Sequence, residues 1–420
     1  MKVDPLASTY CCHAQESFGP VDRAGVVAVV NEWISETFEA GIGVFPLIFE
    51  MRTAGEGSPT ASLHGLGAVE GMRVADVSSA IGVEVFDRTL FKYFNARRFS
   101  DPREITVVVA RNMIGLIYSH MFGDETVFMP KSERLFLALS GLDPALGPRS
   151  PAVRRLSKRR IVAAGLLMAS TNPLIAATSL RRILSGTSMF QREVVSRRAS
   201  GNAISSSAVS TEPVRGWWLS VRLVAAPGTR VPSVYFYCAV LAALECGPDV
   251  THHVVVDLRS ASPLLARTGG NAFSHIPFRA DWTASSPLEV ASQVRSRIRS
   301  GEALVRRAAG ELVGRRNSRS RADPDGVASP MVLATTMSCF RVSGDRDHAF
   351  SGGDLAFARG MQTLEPAVLA SNMRTTGRYA DCTYSHSGNF VDLEKMRSAV
   401  NAAAAYLGLR IAVNTGSHFD

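Results

Sequence analysis

A two-domain α/β protein is the fold class the sequence predicts, and three observations predict it. The chain has 420 residues, enough for two ordinary domains that each bury a core. Segments with strand and helix patterning alternate in both halves, without an internal repeat. Between the halves, residues 191–213 are rich in serine, arginine and alanine without periodicity and read as a linker. The expected organisation is therefore an N-terminal subdomain over 1–190 and a C-terminal one over 214–420.

In the first half Gly19-Pro20-Val21-Asp22 reads as a turn, and Val26 to Phe38 has the spacing of a helix. Val44 to Met51 reads as a strand that starts near Pro46. A loop with Gly55, Gly57 and Pro59 and irregular sequence lead to two further strands, Glu104 to Ala110 and Ile114 to Ser119, joined by a turn at Arg111-Asn112. The apolar spacing of Leu135, Phe136 and Leu139 predicts a helix after Asp124. In the second half the strands are Trp217 to Val224, His252 to Leu258, Met331 to Val342 and Tyr379 to Tyr384. Ser233 to Leu244, an arginine-rich stretch from Pro287 to Val313, and Asp392 to Leu407 read as helical.

Composition bounds the function. Hydrophobic residues make up 46% and charged residues 20%, which excludes a chain disordered throughout. The 46 basic and 37 acidic residues leave a net charge of +9, which suits an acidic partner: nucleic acid, an anionic membrane, a phosphorylated carrier or coenzyme A. Nucleic-acid binding would need aromatic interleaving or a known module, and the sequence has neither, so no nucleic-acid partner is expected. Six cysteines without a CxxC pair fit a reduced, cytoplasmic setting, and the N-terminus lacks the apolar core of a signal peptide. Ile161 to Leu180 is uncharged and flanked by arginines, but Ser170-Thr171-Asn172-Pro173 interrupts it. Two short helices broken at Pro173, in peripheral contact with a membrane at most, are expected rather than a span.

There is no phosphate-cradling GxxxxGK[ST], no GxSxG nucleophile elbow and no HExxH helix. What remains is histidine followed four residues later by aspartate, which occurs twice. His120-Met121-Phe122-Gly123-Asp124 lies between a strand and a helix, where a loop presents the histidine to a cavity. His253 to Asp257 runs through Val254-Val255-Val256, a buried strand.

Here the sequence resembles the chloramphenicol acetyltransferase-like superfamily, which includes nonribosomal peptide condensation domains, wax ester synthases and polyketide-associated acyltransferases. That group carries HHxxxDG after a strand about a third of the way along, and Ser119-His120-Met121-Phe122-Gly123-Asp124-Glu125 sits there. Val255-Val256-Asp257-Leu258-Arg259 followed by Gly270-Asn271 is similar to the family's "VDLR…GN" segment, and Pro287-Leu288-Glu289-Val290 with its long helix follows as in the family. The opening Gly19-Pro20-Val21-Asp22, and Tyr384 to Asp392 before the last helix, also fit. The literal HHxxxD beginning at His252 falls on the VDLR strand, so His120 and not His253 is the catalytic candidate. Two departures stand out: Ser119 replaces the first histidine, as in the single-histidine acetyltransferase branch, and Glu125 replaces the glycine.

The resemblance implies two similar α/β (α+β) subdomains in a pseudo-symmetric V with a channel between them. It implies an acyltransferase that moves an acyl group from coenzyme A or a phosphopantetheinyl carrier to an alcohol or amine, in specialised-metabolite or lipid assembly. Histidine titrates near neutrality, so His120 can take the acceptor's proton and return it to the leaving thiol. Asp124 would hold the loop through an ion pair, with Arg259 as partner. Ser338 and Asn271 are candidate channel residues able to stabilise the oxyanion or contact substrate. No metal and no resident cofactor are implied. Arg295, Arg297, Arg299, Arg306, Arg307, Arg315, Arg316, Arg319 and Arg321 form a basic stretch. It reads either as a solvated helix face or as a dock for an acidic carrier protein or the phosphates of coenzyme A. Two other readings stay open: a catalytically silent scaffold that binds carrier protein, which the altered SHxxxDE favours, and a cyclase acting on a tethered substrate.

Overall fold

The structure is a computed structural model that describes residues 10–16, 21, 28–30, 32–33, 60–65, 104–109, 113–119, 125–142, 156–174, 177–178, 181, 216–248, 250–269, 272–313, 334–341, 358–362, 368–376, 378–386 and 391–418. The expected strand at Val44 to Met51 and the linker lie outside these residues.

Twelve described strands build two sheets. The first sheet comprises β1 (Tyr10–Glu16), β2 (Thr60–Gly65), β3 (Glu104–Val109), β4 (Met113–Ser119) and β9 (Ala358–Gln362), in the order β2-β3-β4-β1-β9. β2 and β3 run parallel, whereas β4 is antiparallel to both β3 and β1. The sheet is mixed, because β2 and β3 are too far apart in sequence for a hairpin. Its core gathers Val107, Val109, Ile114, Leu116 and Tyr118 against Phe128, Leu135, Phe136 and Leu139 of helix α1 (Glu125–Leu139). The Tyr118 and Phe128 ring centroids lie 4.0 Å apart, and Trp33 Nε1 donates to the Lys131 carbonyl at 2.8 Å.

The second sheet contains β5 (Trp217–Val224), β6 (Thr251–Asp257), β7 (Phe273–Phe278), β8 (Ala334–Arg341), β10 (Val368–Thr376), β11 (Tyr379–His386) and β12 (Arg410–His418). Their order is β12-β5-β11-β10-β8-β6-β7, with β8 parallel to both β10 and β6. Helices α3 (Ser233–Ala243), α4 (Pro287–Arg299), α5 (Glu302–Val313) and α6 (Leu393–Tyr406) cover one face. On that side Leu219, Val221, Val254, Met373 and Cys382 pack with Phe236, Leu241, Val294 and Val400.

The arginine-rich stretch forms two helices. Ser286 starts α4 with a reciprocal cap: its hydroxyl accepts from Glu289 N at 3.3 Å, its own N–H donates to the Glu289 carboxylate at 3.0 Å, and Pro287 follows. The break falls at Gly301, whose φ of +76° suits glycine, and a Cβ there would meet Met168 Sδ at 2.6 Å. The corner is pinned by Glu302, which binds Arg297 through two hydrogen bonds, while Arg297 also donates to the Pro277 carbonyl.

Two elements tie the layers together. Helix α2 (Lys158–Thr171) packs on α5 and contributes Ile161 and Ala164 to the second core. Strand β9, from the later part of the chain, pairs with β1 in the first sheet. Among the described residues no helix is long and apolar enough to cross a membrane. Helix α2 ends at Asn172, immediately before Pro173, where the interruption was expected.

Candidate functional site

β4 ends at Ser119 and α1 begins at Glu125, so the segment carrying His120 and Asp124 is the connection from a central strand to a helix. Ser119 stands opposite Tyr10 in the ladder with β1. Glu125 opens the helix, a position where the macrodipole favours an acidic residue. His120 and Asp124 themselves lie outside the described residues, as do Gly270 and Asn271.

Arg259 follows β6 in a short 3-10 helix, Leu258–Ala261. Its Nε donates to the Thr268 carbonyl at 2.8 Å, and its side chain and backbone both bond Asp257 Oδ1, at 3.1 and 3.0 Å. Asp257 is thereby the N-cap of that helix, which is what the aspartate of the second motif does.

The histidines of that motif are core groups. His252 is fully buried and its Nδ1 shares a 2.9 Å hydrogen bond with Thr335 Oγ1, which also meets the Tyr237 hydroxyl at 2.5 Å. His253 is 3% exposed. Burial, reinforced by neighbouring charge, lowers both pKa values to about 3, so both rings are neutral at pH 7. A ring that is neutral but sealed in a sheet has no route to a substrate proton. The structure therefore gives a physical reason for setting this motif aside.

Ser338 occupies β8 opposite Asn372 of β10. The register continues from Asn372 to Thr383 on β11, from Thr383 to Ser220 on β5, and from Ser220 to Thr415 on β12. Five neighbouring strands thus place a polar residue in one row. Asn372, Thr383 and Ser220 are all buried, on the sheet face opposite the α3–α6 core. Sequence reasoning named only Ser338 of this row, because its members come from five separate strands and only the strand register assembles them.

The same face carries two ion pairs. Arg222 forks onto Asp381 with bonds of 2.7 and 3.0 Å. Arg374 donates to Glu133 of α1 at 2.9 Å. Glu133 lies eight residues after Glu125, about 12 Å along a helix axis. The helix that follows the His120 segment is therefore fastened to the face bearing the polar row.

Much of the basic stretch serves the fold. Arg297 and Arg306 lie within 4.0 Å of Glu302, Arg307 pairs with Glu311 at 3.1 Å, and Arg295 lies over the Tyr235 ring at 5.2 Å. Arg315, Arg316, Arg319 and Arg321 lie outside the described residues. Among the described residues no group of three or more histidine, cysteine, aspartate or glutamate side chains could hold a metal ion.

No family model matches the chain, and no curated protein matches it. Solved structures do. The nonribosomal peptide synthetase FmoA3 is similar over 97% of this chain and 42% of its own, at 14% identity and a TM-score of 0.53. F. sporotrichioides TRI101, complexed with coenzyme A and T-2, is similar over 99% of this chain and 97% of its own, at 13% identity and a TM-score of 0.47. VibH, a condensation enzyme of nonribosomal peptide synthesis, is similar over 96% and 92%, at 11% identity and a TM-score of 0.43. At these identities the likeness is one of fold, and the chain spans less than half of FmoA3. The chain has the chloramphenicol acetyltransferase-like fold, the one its sequence resembles.

Proposed function

We propose that the protein is an acyltransferase of the condensation type. It would move an acyl group from a thioester, on coenzyme A or a phosphopantetheinyl carrier, to an alcohol or amine. The observation that carries this reading is the position of His120-x-x-x-Asp124 between β4 and α1 in this fold, with α1 fastened through Glu133 and Arg374 to the polar face of the second sheet.

The residues have these roles in the proposal. His120 takes the proton of the acceptor O–H or N–H as the acceptor attacks the thioester carbonyl. The tetrahedral oxyanion collapses, the C–S bond breaks, and the thiolate leaves with the proton that His120 returns. Asp124 holds the loop, with Arg259 as its ion-pair partner. Ser338 and Asn271 line the channel between the 1–190 and 214–420 halves, where a hydroxyl or amide donor stabilises the developing oxyanion. Burial of the other motif's histidines supports His120 as the base, because they cannot take the part.

The test is mass spectrometry of products after incubation with a panel of acyl-coenzyme A and acyl-carrier thioesters and mixed alcohol and amine acceptors. The proposal expects an acceptor heavier by the acyl group, with release of free thiol. Loss of water from a tethered substrate would instead establish a cyclase. Carrier binding without any turnover across the panel would establish a silent scaffold.

A further inference from the structure

Helix α2 has one face that the fold uses and one that it does not. On the inner face Gly165 meets α5 so closely that a Cβ would lie 2.1 Å from the Ala308 Cβ, and Ile161 and Ala164 are buried. On the outer face Arg159, Ala163, Leu166, Leu167 and Ser170 are exposed, with the helical spacing of one stripe, and Leu174, just past the cap at Asn172, is exposed as well. The three leucines are 58%, 55% and 82% exposed. Isolated exposed leucines are ordinary, but two adjacent ones on a stripe with a third just past the helix end are not.

The chain around this stripe is basic, although Lys158 Nζ also lies 3.9 Å from the Glu311 carboxylate of α5. Between Asp143 and Glu193 the chain has no acidic residue and nine basic ones: Arg149, Arg154, Arg155, Lys158, Arg159, Arg160, Arg181, Arg182 and Arg192. Lys158, Arg159 and Arg181 are exposed, the first two at the start of α2 and the third beyond Leu174. A short helix with outward leucines and flanking cations is the pattern of an element that lies in the headgroup layer of an anionic bilayer. An acidic protein partner would meet the cations, but exposed leucines on α2 and just past its end favour a surface with an apolar layer below its charge.

We infer that the outer face of α2, with the exposed residues just past its end, docks the protein peripherally on an anionic lipid surface, with Leu166, Leu167 and Leu174 entering the interface and Lys158, Arg159 and Arg181 facing the headgroups. This does not depend on the acyl-transfer reading; it rests on exposure and charge alone.

The test is co-sedimentation of the full chain with vesicles of phosphatidylcholine containing phosphatidylglycerol, beside vesicles of phosphatidylcholine only. Binding is expected to the anionic vesicles and to fall as salt rises. The triple variant Leu166→Ser, Leu167→Ser, Leu174→Ser is expected to weaken binding at least about a hundredfold. The triple variant Lys158→Gln, Arg159→Gln, Arg181→Gln is expected to weaken it about fivefold per charge. All six positions are exposed, and an unchanged melting temperature confirms that each variant is folded. Equal binding to neutral vesicles, no binding by the wild type, or leucine variants that bind as the wild type does would each overturn the inference. Protection of the leucines by an acidic protein and not by vesicles would overturn it as well.

Discussion

Arg374 on β10 donates to Glu133 on α1 at 2.9 Å, a bond between residues 241 positions apart. It joins the helix that starts just after His120 and Asp124 to the sheet face bearing Asn372 and Thr383. Both side chains are largely buried, at 16% and 6% exposure. Removing one partner strands the other charge, which costs more than the pair itself is worth. Glu133→Gln and Arg374→Gln are each expected to lower stability by about 3 kcal/mol, read as a shift in urea midpoint. The double variant should lose less than the sum. Additive losses would show that the two groups do not depend on one another.

The contact of α2 with α5 sets a steric limit. Alanine in place of Gly165 gains up to about 1 kcal/mol of helix propensity. Its Cβ would lie 2.1 Å from the Ala308 Cβ, an overpacking that costs about 1–3 kcal/mol. The clash wins, so Gly165→Ala is expected to destabilise. Ala308→Gly added to it should restore part of the loss, because it removes the opposing methyl. Chemical denaturation of the three variants decides the matter, and a stabilised single variant would contradict the packing.

His252 and His253 make stability depend on pH in a defined direction. Burial lowers both pKa values to about 3 from 6.5, so the unfolded chain binds protons that the folded one refuses. The stability is fully present above about pH 6.5 and is lost as pH falls toward 3. Between pH 7 and pH 5 the loss is on the order of 2 kcal/mol per histidine, in a range where carboxylates are still ionised. Urea melts at pH 7 and pH 5 measure it. A flat profile would mean that these rings reach water.

Three buried thiols are poor nucleophiles. Burial pushes Cys238 and Cys246 up to about 12, and Cys382 well above its ordinary value. Iodoacetamide is expected to leave these three unmodified in the folded protein and to alkylate them after unfolding, as peptide mapping will show. Labelling of any of them in the native state would reopen a covalent thiol route.

The sequence made most of the local structure legible. Trp217–Val224 and the start of the helix at Ser233 match their expected bounds, and β4 begins at Met113, one residue ahead of expectation. Strong apolar patterns and flanking turns made those segments plain. β10 and β12 were not legible, because VLASNMRTT and RIAVNTGSH mix polar residues on both faces. β7 hid behind Pro277. One expected helix became two, because Gly301 adopts a positive φ that composition does not announce. At the candidate site, the strand and helix around His120 could be read from spacing alone. The polar row from Ser338 to Thr415, and the bond from Glu133 to Arg374, could not: both depend on which strands become neighbours.

The most direct test of the central claim is acyl transfer by His120→Ala beside the wild type, with donor binding and melting temperature measured on both. The account predicts that transfer falls by at least about a hundredfold while donor affinity and stability stay the same. Turnover at the wild-type rate would contradict it and remove His120 as the base.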